Sequence, residues 1–117
     1  MNNNGHLSEY PVVISVLLHW GEQDPLGHVN NINYLRWAET ARVDYLIRAG
    51  IWQGLETEGV GPILANVSCD YRRPLTYPDT VLVGARVDHI GNTSMRMLHR
   101  IVSSTAGDIA AEVSSVL

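Results

Sequence analysis

Within the stretch GEQDPLGHVNNINYLRWAETAR, Gly21 to Arg42, Asp24, His28, Asn30 and Asn31 are side chains able to do chemistry at short spacing. Pro25 and Gly27 turn the chain after Asp24, so that Val29, Asn30 and Asn31 lead into the longest helical pattern of the protein. The first N–H groups of a helix have no partner inside it, and the helix dipole adds partial positive charge there. Together they can hold an oxygen that becomes negative during reaction, as an oxyanion hole does. The same field favours the ionised form of Asp24, leaving its carboxylate available as a nucleophile or as a base that activates water. The arrangement suits attack on a carbonyl, as in acyl transfer to water. Each residue also has a plainer use: Asp24 before Pro25 fits a turn, Asn30 and Asn31 fit helix caps, and His28 can serve as a structural hydrogen-bond partner rather than orient Asp24 or a substrate.

The elements that must position these residues follow from periodicity. YPVVISVLLHW, Tyr10 to Trp20, is rich in β-branched residues and bounded by Pro11 and Gly21, which predicts a strand. From NNINYLRWAETARVDYLIRAG the period changes: Tyr34, Trp37, Ala38, Ala41, Tyr45 and Leu46 recur at helical spacing, with Arg36, Glu39, Thr40, Asp44 and Arg48 elsewhere. Asn30 or Asn31 can cap the start, Asp44 and Arg48 stand one turn apart, and Gly50 can end the helix in the left-handed conformation. A helix of about 20 residues is roughly 30 Å long. Its alanines allow close approach to a broad apolar surface. After a glycine-containing linker, IWQGLETEGVGP, strand-like runs alternate with turn signals: ILANVSCDYR, TVLVGARVDHI, TSMRMLHRIV and IAAEVSSVL. These predict four strands in an antiparallel meander, and an α+β layout in which one helix covers one face of a sheet.

Other residues invite narrower readings. Arg72 and Arg73 carry guanidinium forks suited to the phosphates of coenzyme A, although a charged strand end before Pro74 also fits a solvated sheet edge. Tyr34 and Trp37 pack against the sheet or line an acyl pocket. Glu39 is a second carboxylate on the helix; pairing with Arg42 or Arg36 accounts for it, and catalysis is the alternative. His19, His89 and His99 fall on separate strand-like runs without metal-ligand spacing, so no metal is expected. Cys69 reads as a small core residue.

DPLGHVNNINYLRWAETAR resembles the signature of the 4-hydroxybenzoyl-CoA thioesterase-like acyl-CoA thioesterases, whose subunits have the hotdog fold, one long central helix wrapped by an antiparallel β-sheet. DYRRPLTYPDTVLVGARV is similar to the second strand, turn and third strand of that family, so the resemblance covers most of the chain from Tyr10 onward. It implies that Asp24 is the catalytic carboxylate and that the backbone N–H of Asn31, seven residues later, supplies the oxyanion contact. Several members carry Tyr or His where this chain has Asn31, a change to which a backbone contact is indifferent. The candidate catalytic set is therefore Asp24, Asn31 and His28, and the candidate substrate-binding set Asn30, Tyr34, Arg72 and Arg73. The implied substrate is an acyl-CoA or an acyl group on carrier protein, with coenzyme A entering as part of the substrate and no further cofactor. Members are typically dimers or tetramers with active sites between subunits, which implies a homodimer or homotetramer here.

Composition limits the alternatives. A chain of 117 residues with 45% hydrophobic content fits one domain over 1–117, which the resemblance implies is a hotdog domain, with 1–9 read as a flexible N-terminus. The net charge is −4 and all eight basic residues are arginines scattered along the chain, which argues against a nucleic-acid partner. The longest apolar run, PVVISVLL, falls short of the ~20 residues of a membrane-spanning helix. The lone Cys69 and a start, MNNNGHLSEYP, with no basic and apolar leader point to the cytoplasm. Two further functions compete with thioester hydrolysis. A hotdog hydratase or dehydratase would need an acid/base pair such as Asp24 with His28, but its pattern places His five residues after Asp and then another acid, unlike DPLGHVN. A non-catalytic acyl-CoA binding module would bind without turnover.

Overall fold

The alternation of β-branched runs with one long amphipathic segment produces a sheet wrapped on a helix. The structure, a computed structural model, describes residues 4–50 and 64–117. In chain order it has α1 (Asn4–Leu7), β1 (Val12–Leu17), a 3-10 turn at Trp20–Glu22, α2 (Asn31–Arg48), β2 (Asn66–Tyr71), β3 (Thr80–Ile90), β4 (Met95–Ser103) and β5 (Asp108–Val116). The linker IWQGLETEGVGP lies outside the described residues.

Local chemistry sets the ends of α2. Asn30 Oδ1 accepts a hydrogen bond from the Ile32 N–H at 3.0 Å, and Gly50 follows the last turn at φ 77°. The Asp44–Arg48 pair closes at 3.1 Å and Glu39 lies 3.7 Å from Arg42, as their spacing predicts. Tyr34, Trp37, Ala38, Ala41 and Leu46 are buried. All but Leu46 join Val81, Val83, Ala85, Met97, Ile101, Ala111 and Val113 in one core. Ala38 and Ala41 are 1% and 0% exposed, so the helix backbone lies close to the sheet. Each large apolar side chain in this layer contributes roughly 1.5–3 kcal/mol by leaving water. Among the described residues no helix is long and apolar enough to cross a membrane.

The five strands pair antiparallel in the order β1-β3-β4-β5-β2. This corrects the expected four-strand meander, which holds for β3, β4 and β5 alone. β2 pairs with β5, from Asn66 opposite Val116 to Tyr71 opposite Ala111, while β1 occupies the flank of β3 from Val12↔Ala85 to Leu17↔Thr80. The physical reason lies in the 72–79 link. Pro74 and Pro78 suit it to a long extended connection rather than a two-residue hairpin, and Leu75, 2% exposed, anchors it across the sheet end. Three strand spacings of about 4.8 Å are well within its extended reach.

Ahead of β1, Leu7 and Tyr10 are buried with Val102 against Leu82, Leu98 and Ile109, on a second apolar patch of the sheet. Gly84 makes room for them: a Cβ there would stand 2.7 Å from Tyr10 Cγ and 2.9 Å from Leu7 Cδ2. Arg86 and Arg100 flank the Tyr10 ring at 5.4 and 5.5 Å.

Candidate active site

The loop between β1 and α2 folds on its own hydrogen bonds. Asp24 N–H donates to the His28 carbonyl at 2.7 Å, and Gly27 N–H, at φ 80°, donates to the Asp24 carbonyl at 3.0 Å. Asp24 Oδ1 accepts from the Leu26 N–H at 2.9 Å and the His28 N–H at 3.2 Å. The turn function of this carboxylate is therefore real, and it uses one oxygen. Oδ2 accepts no hydrogen bond among the described residues. One oxygen thus fixes the group while the other stays available for chemistry.

Three contacts brace this loop, one to the 72–79 link and two within the β1–α2 connection and the helix start. Val29, 3% exposed, donates its N–H to the Leu75 carbonyl at 2.8 Å. Asn30 N–H and Asn33 Nδ2 both donate to the Glu22 carbonyl, at 2.9 and 3.4 Å. Asn33, buried at 7% exposure, was not singled out in the sequence, because a polar residue in the first helical turn reads as solvated.

At the start of α2, capping takes two amides and leaves a third. Ile32 N–H goes to Asn30 Oδ1, and Asn33 N–H to the Asn30 carbonyl at 3.0 Å. Asn31 N–H, the first of the helix, has no acceptor among the described residues. It sits at the positive end of an 18-residue helix.

Asp24, His28, Val29, Asn31, Tyr34, Tyr71, Arg72, Arg73 and Pro74 line one groove of about 290 Å³. Six of the residues singled out in the sequence, Asp24, His28, Asn31, Tyr34, Arg72 and Arg73, thus meet in one place. Asn30 stands at the edge, its side chain occupied by the cap rather than lining the groove. Glu39 lies outside the lining, 67% exposed and paired with Arg42.

The arginines are already engaged. Arg72 Nη2 reaches Glu112 Oε1 at 2.5 Å, with Asp70 3.6 Å from its Nε, and Arg73 Nη1 reaches Asp108 Oδ2 at 2.8 Å. Half-exposed ion pairs of this kind are worth about 0–1 kcal/mol, so a phosphate can compete for these guanidinium groups.

Sequence reasoning missed Tyr71, read as the end of a strand, along with Val29 and Pro74. Tyr71 Oη donates to the Asn31 carbonyl at 3.3 Å, and its ring meets Tyr34 edge-on at 5.1 Å. Tyr34 itself is 2% exposed, and burial pushes its phenol up to about 12, partly offset by a hydrogen bond to the Leu75 backbone. It stays neutral at any working pH and serves the groove as a rigid wall. Asp79 was missed as well. Buried at 9% exposure, it accepts from Thr80 N–H at 2.7 Å, from Thr105 N–H and Oγ1 at 3.0 Å, and from Ser103 Oγ, pinning the β4–β5 turn beside the 72–79 link.

A fixed carboxylate beside a helix-start amide that no described residue pairs can attack or activate water at a carbonyl whose oxygen rests on that amide.

Comparison with known proteins places the chain in a family. The family model described as the thioesterase-like superfamily matches residues 18–117, which include every residue of the groove. The long-chain acyl-CoA thioesterase FadM of Escherichia coli (strain K12) is 26% identical over 89 residues, which is 76% of this chain and 67% of that protein. A crystal structure of a thioesterase complexed with coenzyme A and Zn from Thermus thermophilus is 34% identical, with a TM-score of 0.78 over 92% of this chain and 77% of that one. 4-Hydroxybenzoyl CoA thioesterase, seen as a variant complexed with 4-hydroxybenzoyl CoA, superposes with a TM-score of 0.81 over 90% of this chain and 80% of its own. At 20% identity that last likeness concerns the hotdog fold alone.

Proposed function

The chain belongs to the thioesterase-like superfamily, and from this premise we propose that it is an acyl-CoA thioesterase, cleaving an acyl thioester to a free carboxylic acid and a thiol. The observation that carries the reading is one groove shared by Asp24, whose Oδ2 is free among the described residues, and the Asn31 N–H, unpaired among the same residues.

The substrate carbonyl oxygen rests on the Asn31 N–H, where the helix dipole stabilises it as it becomes negative. Asp24 acts in one of two ways. As a base it takes a proton from water while the water oxygen bonds to the carbonyl carbon; collapse of the adduct breaks the C–S bond, and the thiolate recovers the proton. As a nucleophile its oxygen bonds to the carbonyl carbon first, the thiolate leaves, and water then hydrolyses the anhydride. His28 lines the same groove and orients the substrate, Arg72 and Arg73 exchange carboxylate partners for coenzyme A phosphates, Tyr34 forms the floor, and Asn30 holds the helix start in place. An acyl group presented on a carrier protein meets the same machinery.

A second copy of the chain completes the groove. β2 borders it, pairs among the described residues with β5 alone, and is exposed along nearly its whole length, with Val67 38% and Tyr71 43% exposed. Pairing of this edge with another subunit gives a homodimer, the building block of a homotetramer.

Free-thiol release from short, long and aromatic acyl-CoAs, by wild type beside Asp24→Asn, tests the reading. Wild-type turnover should fall at least about 100-fold in a folded Asp24→Asn protein. Equal turnover in both removes Asp24 from catalysis, and binding without turnover in either indicates an acyl-CoA binding module. Single turnover in heavy-oxygen water separates the two roles, since label appears in Asp24 only through an anhydride.

A further inference from the structure

We propose that Tyr71 is a positioning residue, whose hydroxyl holds the first helical residue, Asn31, so that its amide stays aimed into the groove. The inference rests on the thioesterase reading for its kinetic part and on geometry alone for its structural part.

Asn31 is held from two directions. On the loop side, Asn30 caps through Oδ1 to the Ile32 N–H and through its carbonyl to the Asn33 N–H. On the sheet side, the one side chain that reaches Asn31 among the described residues is Tyr71, whose Oη donates to its carbonyl at 3.3 Å. The Asn31 N–H and C=O are joined by a single residue's φ and ψ. Fixing the carbonyl plane on one side and the Asn30 plane on the other therefore leaves the N–H little freedom. Helix ends fray, and an unsupported first turn would swing this donor by an ångström or more. Misplacement on that scale costs on the order of 100-fold in rate. At 3.3 Å the Tyr71 bond is long for O–H···O, so its share of that effect is smaller.

The ring of Tyr71 makes the hydroxyl dependable. It packs edge-on against Tyr34 at 5.1 Å and an interplanar angle of 78°, and Tyr34 in turn contacts Trp37 at 5.3 Å. Because Tyr71 is the last residue of β2, the contact ties an edge strand directly to the catalytic end of α2.

Tyr71→Phe keeps the ring stack and deletes the hydroxyl. In thiol-release assays kcat should fall about five- to tenfold with KM within about twofold, since the donor acts in the transition state more than in the ground state. In amide correlation spectra of the labelled protein, the Asn31 and Ile32 resonances should shift and exchange faster with solvent, while those of β3 and β4 stay in place. Unchanged kcat, or a raised KM at unchanged kcat, overturns the positioning role, and so do unperturbed Asn31 and Ile32 amides. Wild type and Asp24→Asn run alongside keep the two readings apart. Absent turnover in wild type, or full turnover in Asp24→Asn, strikes the thioesterase reading, and the Asn31 and Ile32 amides then decide the role of Tyr71 by themselves.

Discussion

Acid should weaken this fold through one buried imidazole. His99, on β4, is 0% exposed; its Nε2 lies 3.4 Å from Ser115 Oγ, which accepts from Arg42 Nη1 at 3.3 Å, and its Nδ1 has no partner among the described residues. Burial first and the Arg42 charge second lower its pKa to about 4, from an ordinary 6.5, with a small opposing contribution from the Gly84 backbone. The unfolded chain therefore binds a proton between about pH 6.5 and 4 that the folded chain refuses. Stability is full above pH 6.5 and declines as pH falls toward 4, with no further loss from this group below that. The full shift corresponds to about 3 kcal/mol, of which about 2 kcal/mol is lost by pH 5, before most carboxylates titrate. Urea midpoints at pH 7 and pH 5, at one protein concentration, measure this directly for wild type and for His99→Gln. The variant should be less stable at pH 7 but should lose about 2 kcal/mol less between the two pH values. Equal losses in both proteins would refute the argument and move the acid sensitivity elsewhere.

Two further substitutions probe the supports of the site. Gly84→Ala places a Cβ against Tyr10 and Leu7 and should cost about 1–3 kcal/mol in urea denaturation, with thiol release little changed because the clash lies away from the groove. Asn30→Ala removes the cap from Ile32 N–H and should cost about 1 kcal/mol while lowering kcat, since the freed first turn carries the Asn31 donor; a stability loss with unchanged kcat would separate the cap from catalysis.

Much of this protein is legible along the chain because the forces involved act over a few residues. The 3.6-residue spacing of Tyr34, Trp37, Ala38 and Ala41 dictates the helix and its buried face, Asn30 and Gly50 mark its ends, and Asp24, Pro25 and Gly27 write the turn before it. Asp24 could be paired with the helix start for the same reason, since Pro25 and Gly27 turn the chain into the helix; the Asn31 N–H in particular came from the family resemblance.

What lay beyond reach depends on partners far apart in sequence. Nothing local to NVSCDY says that β2 pairs with β5 instead of β3, yet that choice carries Tyr71, Arg72 and Arg73 to the groove. Strand pairing is settled by which edges remain open once β1 has taken the flank of β3, a competition among distant segments. Arg42, His99 and Ser115 likewise read as ordinary polar residues on three elements and become a buried network only when α2 settles on β4 and β5. Asp79 and Tyr10 follow the same rule, each meaningful through contacts with β4, more than twenty residues away. Periodicity and turn chemistry thus dictate the elements and the turn that carries the proposed catalytic pair, while long-range burial and strand exchange assemble the walls around them.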